Sequence, residues 1–254
     1  MPSFQANGAS LYYESHGDEH NPRVIVLAHG MGGNHAIWFK QLVDLSLDFR
    51  VITFDHRGFG NSTDPQDLGR SAYVDDLLAL LDHLALGQVN LVGQSMGGGT
   101  CISFTCQYPQ RVSALIVADS LHALQEPAAV QQLMDEARIA TDKLGQIERV
   151  LGSRVRETEP TAAVLYRQIN SFNRVTRQTL KGAFKRHAPS ELAATRVPVL
   201  FIAGSDDVLF PVAAIRLMQQ DIAGAGFVEI PDTGHSAFYE SPQAFNTAVL
   251  AALC

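Results

Sequence analysis

The 254-residue chain is 46% hydrophobic and 18% charged, the balance of an ordinary globular domain. Its formal net charge of −7 argues against a general nucleic-acid binder, which needs a basic face. Its three cysteines (Cys101, Cys106, Cys254) form no disulfide framework, no CxxC or HExxH metal spacing occurs, and no apolar run reaches membrane-spanning length.

The first 17 residues lack the basic and apolar regions of a signal peptide. The expectation is a cytoplasmic protein, with Cys101 and Cys106 as buried free thiols. Phe4-Gln5-Ala6 and Ser10-Leu11-Tyr12-Tyr13 flank Asn7-Gly8, a strong hairpin turn. Residues 24–30, VIVLAHG, form an apolar run of the kind seen in buried parallel strands. Residues 36–46 read as a helix, 51–54 as a second buried strand, and 71–86 as an amphipathic helix. Residues 89–93 predict a third such strand, 97–108 a helix stopped by Pro109, and 113–119 a fourth strand. Residues 197–204 and 227–232 give the fifth and sixth, and a last helix follows Ser241-Pro242. Buried strands alternating with helices mean an α/β fold with a mostly parallel sheet.

The alternation breaks at residues 121–189. That stretch reads as three or four basic helices, with eleven Lys and Arg against seven Asp and Glu. An insertion between the fourth and fifth of these strands sits over their carboxyl ends, where open α/β sheets bind ligands. A lid is expected there, between core segments 1–120 and 190–254. Arg138 and Arg174 are candidates for holding an acidic substrate. The alternative is a solvated basic face.

LVGQSMGGGT, residues 91–100, lies between a strand and a helix. It fits neither a Walker loop nor a dinucleotide fingerprint, because the required lysine and glycine spacings are absent. It does contain GxSxG, with Ser95 at the turn. Glycines at 93 and 97 leave room for a strand and helix to approach closely around a nucleophile. Gly98 and Gly99 are not required by that logic. A serine nucleophile needs a base and an orienting acid, in the chain order Ser, Asp or Glu, His. Of nine histidines, His235 alone lies downstream of both Ser95 and the late acid candidates. Asp206, Asp207 and Asp119 compete as the acid, and spacing does not separate the first two. Backbone N–H groups of Met96 and of Met31, in AHGMGG, are the expected oxyanion-hole donors.

AHGMGG, FDHRGFGNS, GQSMGG, GSDDVLFP and TGHSAFYESP together resemble the α/β-hydrolase superfamily over nearly the whole chain. The resemblance implies an eight-stranded, mostly parallel sheet flanked by helices and a helical cap. Its GxxDxxxP pattern falls on Gly204, Asp207 and Pro211, which selects Asp207. The DxRGxGxS pattern at Asp55, Arg57, Gly58, Gly60 and Ser62 implies loop organisation rather than catalysis. Serine at the elbow disfavours the dehalogenases and epoxide hydrolases, which carry aspartate there. The chain is similar to a branch of small carboxylesterases, lactonases, cofactor-free perhydrolases and meta-cleavage C–C hydrolases. Ser236 stands where the C–C hydrolases often carry an aromatic residue. The expectation is therefore a cofactor-free, metal-free serine esterase acting on a small molecule, as a monomer or small homo-oligomer. The alternatives are a C–C hydrolase and a triad-retaining ligand receptor.

Overall fold

Eight strands pair into one sheet in the computed structural model, which describes residues 2–253. Met1 and Cys254 lie outside the described residues. The strands are β1 (Ser3–Ala6), β2 (Ala9–His16), β3 (Val24–Ala28), β4 (Arg50–Phe54), β5 (Val89–Gln94), β6 (Val112–Ala118), β7 (Val199–Gly204) and β8 (Gly226–Ile230). Their order is β1-β2-β4-β3-β5-β6-β7-β8. The β1–β2 and β2–β4 pairings are antiparallel, and all others are parallel. Asn7 and Gly8 have φ of 50° and 74°, the left-handed pair that a tight hairpin turn needs.

The parallel strands are apolar runs because helices cover both faces of the sheet. Ile25 to Ala28 are fully buried. In chain order the helices are α1 (Phe39–Leu45), α2 (Tyr73–His83), α3 (Met96–Gln107), α4 (Ala128–Thr141), α5 (Gln146–Val150), α6 (Ser153–Thr158), α7 (Pro160–Ser171), α8 (Pro189–Ala194), α9 (Val212–Gln220), α10 (Ala237–Glu240) and α11 (Pro242–Leu253). Leu77 and Leu81 of α2, Ile102 and Phe104 of α3, and Ile215 of α9 pack in one core. Leu45 of α1 and Phe245 and Val249 of α11 pack in a second, with Trp38. Among the described residues, no helix is long and apolar enough to cross a membrane. Cys101 is a buried free thiol and Cys106 a half-buried one.

Strand order reverses around β3, which sits between β4 and β5. The loops after β3 and β5 therefore part to leave a crevice at the carboxyl edge. Helices α4–α7 fill residues 128–171 of the long connection from β6 to β7. Residues 172–187, which read as helical by composition, carry no regular element beyond a single bridge from His187 to Leu124. Their polar side chains bond the backbone instead: Asn173 Nδ2 donates to Gly33 O at 3.0 Å, and Thr176 N donates to Thr179 Oγ1 at 2.9 Å. Such bonds compete with a helix. Val175, Leu180 and Phe184 of this stretch pack against a small cluster of Phe59, Tyr73 and Met96.

Candidate active site

Ser95 joins β5 to α3 with φ 49° and ψ −118°, a strained conformation for a residue with a side chain. Its N–H donates to Ala118 O at 2.9 Å and its carbonyl accepts from Ser120 Oγ at 2.7 Å. The surrounding glycines are fixed by contact. A Cβ on Gly93 would lie 2.5 Å from Gly97 O, and one on Gly97 would overlap Ala28 O. A Cβ on Gly99 would lie 2.7 Å from the Phe184 ring and 2.8 Å from His122 Cβ. Gly99 thus lets two side chains of the β6–β7 connection settle on the first turn of α3.

His235 follows β8, and its Nδ1 lies 2.9 Å from Asp207 Oδ2. Asp207 Oδ1 accepts from Leu209 N at 2.7 Å and Phe210 N at 3.0 Å, which fixes the carboxylate, and the Phe210 ring stacks on the imidazole at 5.6 Å. Asp206 is exposed and accepts instead from Ser205 Oγ at 3.0 Å. Asp119 is fully buried and takes Gly204 N at 2.8 Å and Ala237 N at 3.3 Å, joining the ends of β6 and β7 to the segment after His235. Burial, and next the neighbouring Asp207 charge, hold its carboxyl well above the usual range. Gln94 Nε2 donates to His235 O at 2.8 Å, so the residue before Ser95 also holds the histidine loop.

Met31 lies on the loop after β3. Met96 is the first residue of α3, where a backbone N–H has no partner within the helix. The Met31 loop is braced by two buried histidines that sequence reading did not single out. His29 Nδ1 lies 2.9 Å from Gly30 O, and His29 Nε2 accepts from His56 N at 3.0 Å. His56 Nε2 is 3.0 Å from Thr100 Oγ1 on α3. Burial pushes His29 down to about 4 and His56 well below its ordinary value, so both rings are neutral near pH 7. The DxRGxGxS residues organise the neighbouring loop. Asp55 accepts from His35 N at 2.6 Å and Asn61 N at 2.8 Å, Ser62 Oγ donates to Asp55 O at 2.8 Å, and buried Arg57 is held by Asp76 at 2.6 Å through both Nε and Nη2.

Ser95, His235 and Met31 line one cavity of about 950 Å³, whose walls come largely from the β6–β7 connection. Arg138 lines it too; Arg174, the other basic residue considered from sequence, does not. His122 also lines it, and no motif in the sequence marks that residue. Among the described residues, no group of three His, Cys, Asp or Glu side chains is arranged to hold a metal ion. The chemistry available is that of a buried hydroxyl on a strained turn, a carboxylate-held imidazole and nearby backbone amides.

Comparison with known proteins agrees with this architecture. Residues 23–242 match the family model described as "alpha/beta hydrolase fold". A protein of Caulobacter sp. (strain K31) named "Putative carbamate hydrolase RutD" is 28% identical over 257 residues, covering 94% of each chain. A protein of Acinetobacter baylyi named "3-oxoadipate enol-lactonase 2" is 27% identical, covering 98% of this chain and 94% of its own. The structure of a thermophilic esterase from Thermogutta terrifontis superposes with a TM-score of 0.81 at 28% identity, covering 99% of this chain and 96% of that one. The chain belongs to the alpha/beta hydrolase family and is an enzyme of that class.

Proposed function

We propose that the enzyme cleaves a small carboxylic ester through an acyl-enzyme, with Ser95 as nucleophile, His235 as general base and Asp207 as the orienting acid. The observation that carries this reading is a single cavity reached by Ser95 and His235, with Asp207 on the far nitrogen of the imidazole. His235 Nε2 takes the Ser95 proton as Oγ bonds to the ester carbonyl carbon. The imidazolium then gives that proton to the departing alkoxide as the ester C–O bond breaks. Water adds to the acyl-enzyme with His235 again as base, and Ser95 leaves with the proton. The developing oxyanion is received by the Met31 and Met96 amides, each such donor being worth about 2.7–4 kcal/mol of barrier. Residues 121–189 serve as the cap over this site, and 1–120 with 190–254 as the core. The relatives named as a lactonase and an esterase support acyl chemistry, a lactone being an internal ester.

Ser95→Ala should lower hydrolysis of an activated ester by at least about 10³-fold while leaving the melting temperature close to that of the parent. Turnover near the parent rate would refute the assignment.

A further inference from the structure

The cavity above Ser95 holds more positive charge than its own carboxylates neutralise. Five arginines line it, at positions 70, 138, 149, 177 and 186, against Glu126 and Asp142. The ion pairs decide which of them is available. Arg138 Nη2 meets both oxygens of Glu126 at 2.8 and 2.9 Å, and its Nη1 reaches Asp135 at 2.5 Å. Arg177 lies 3.5 Å from Asp142. Arg70 is held by a backbone carbonyl rather than a carboxylate, its Nε donating to Gly182 O at 3.0 Å, and Arg186 is exposed to solvent.

Arg149 is different. It is half-buried, and among the described residues its Nε is shielded from solvent, donates to nothing, and the side chain forms no ion pair. It sits on α5 three residues after Gln146, hence on the same helical face. Gln146 packs against Gly32, next to Met31: a Cβ on Gly32 would lie 2.6 Å from Gln146 Nε2. Arg149 also lines a second cavity of about 190 Å³ that shares His235 with the first. Arg149 thus lines both cavities that His235 borders, on the helix whose Gln146 meets the Met31 loop. Burial, and next the charge of Arg177, push its pKa down, with the Asp142 charge only partly opposing. The same field reaches the other wall. Burial, followed by the charges of His235, Arg70, Arg138 and Arg186, holds His122 down at about 4.

We infer that the substrate is an ester or lactone bearing a separate carboxylate, and that Arg149 receives that carboxylate. A half-buried guanidinium whose shielded Nε has no partner among the described residues matches a negative charge, and its planar fork matches a carboxylate edge. The carboxylate takes no part in bond making; it fixes the ester carbonyl over Ser95. This inference rests on the ester-hydrolase reading above.

The test compares kcat/KM for monomethyl glutarate and monomethyl adipate with kcat/KM for methyl valerate and methyl hexanoate. The parent enzyme should prefer the anionic esters. Arg149→Gln should lower the anionic-to-neutral ratio about 10- to 100-fold, the scale of a lost hydrogen-bonded charge contact. Arg149→Lys, which keeps the charge but not the fork, should lower it less and stands in should the glutamine variant fail to fold. Arg138→Gln should preserve the ratio, its charge being already neutralised. A parent preference for the neutral esters, or equal losses on both esters in Arg149→Gln, would overturn the inference. Should the parent turn over neither ester, the hydrolase reading fails, and glutarate as a ligand decides the role of Arg149. Glutarate should raise the melting temperature of the parent but not of Arg149→Gln, and an unshifted parent would overturn the inference.

Discussion

Glu240 closes α10 and holds two parts of the molecule together. Its Oε2 accepts from Gly152 N at 3.0 Å, between α5 and α6, and its Oε1 accepts from Gly234 N at 3.1 Å, the neighbour of His235. Burial raises its pKa from 4.5 to about 7, with the Gly234 and Gly152 amides and the Arg154 charge only partly opposing. A carboxyl that is harder to ionise in the folded state binds more protons there than in the unfolded chain. Its contribution to stability is therefore fully present below about pH 4.5 and is lost as pH rises through 7. At about 1.36 kcal/mol for each pH unit separating the two pKa values, the loss totals about 3 kcal/mol, of which about 2.5 kcal/mol falls between pH 5 and 8. Glu240→Gln mimics the protonated form and cannot ionise. Urea unfolding of both proteins across that range should show the variant gaining on the parent by about 2.5 kcal/mol as pH rises. A difference that stays flat with pH would refute the reasoning, because it would mean that burial does not govern this carboxyl.

Asp76→Asn should destabilise the fold by about 3–5 kcal/mol in urea unfolding, since among the described residues it leaves the buried Arg57 with Asp64 at 3.5 Å as its one carboxylate, beside the Asn7 carbonyl at 3.3 Å; a loss below about 1 kcal/mol would mean Asp64 suffices. Asp207→Asn should lower ester turnover on the order of 10³- to 10⁴-fold by removing the charge that fixes the imidazole tautomer. Asp206→Asn should change it less than about twofold, within the scale of an exposed site, and the reverse ranking would reassign the acid. Gly97→Ala should unfold the protein more readily than Gly99→Ala, because its new methyl meets the Ala28 backbone carbonyl, whereas that of Gly99 meets the side chains of Phe184 and His122. The Gly99 change should cost about 1–3 kcal/mol, the range for overpacking, and equal melting temperatures for the two variants would count against the close-approach argument.

The strands were legible because a parallel strand covered on both faces has nowhere to place a polar side chain, so Val24–Ala28 and Val112–Ala118 stand out as apolar runs. The 172–187 stretch misled for the opposite reason. Its composition is compatible with helix, but Asn173 and Thr179 spend their side chains on backbone groups, a choice visible only in three dimensions. Asp206 and Asp207 were equivalent by spacing, and one peptide bond separates an exposed carboxylate from one buried beneath His235. Gly98 and Gly99 exceeded what the elbow required. Their neighbours prove to be Ser120 and the pair His122 and Phe184, distant residues that no local pattern ties to them. The basic insertion teaches the same lesson about charge. Counting residues singled out Arg138, but a charge matters to a ligand only after its own ion pairs are subtracted. Arg138 is neutralised by Glu126 and Asp135, and of the cavity arginines left without an ion pair Arg149 is the one with a shielded, unpartnered nitrogen among the described residues. Net charge can be read from a sequence; free charge depends on which side chains meet.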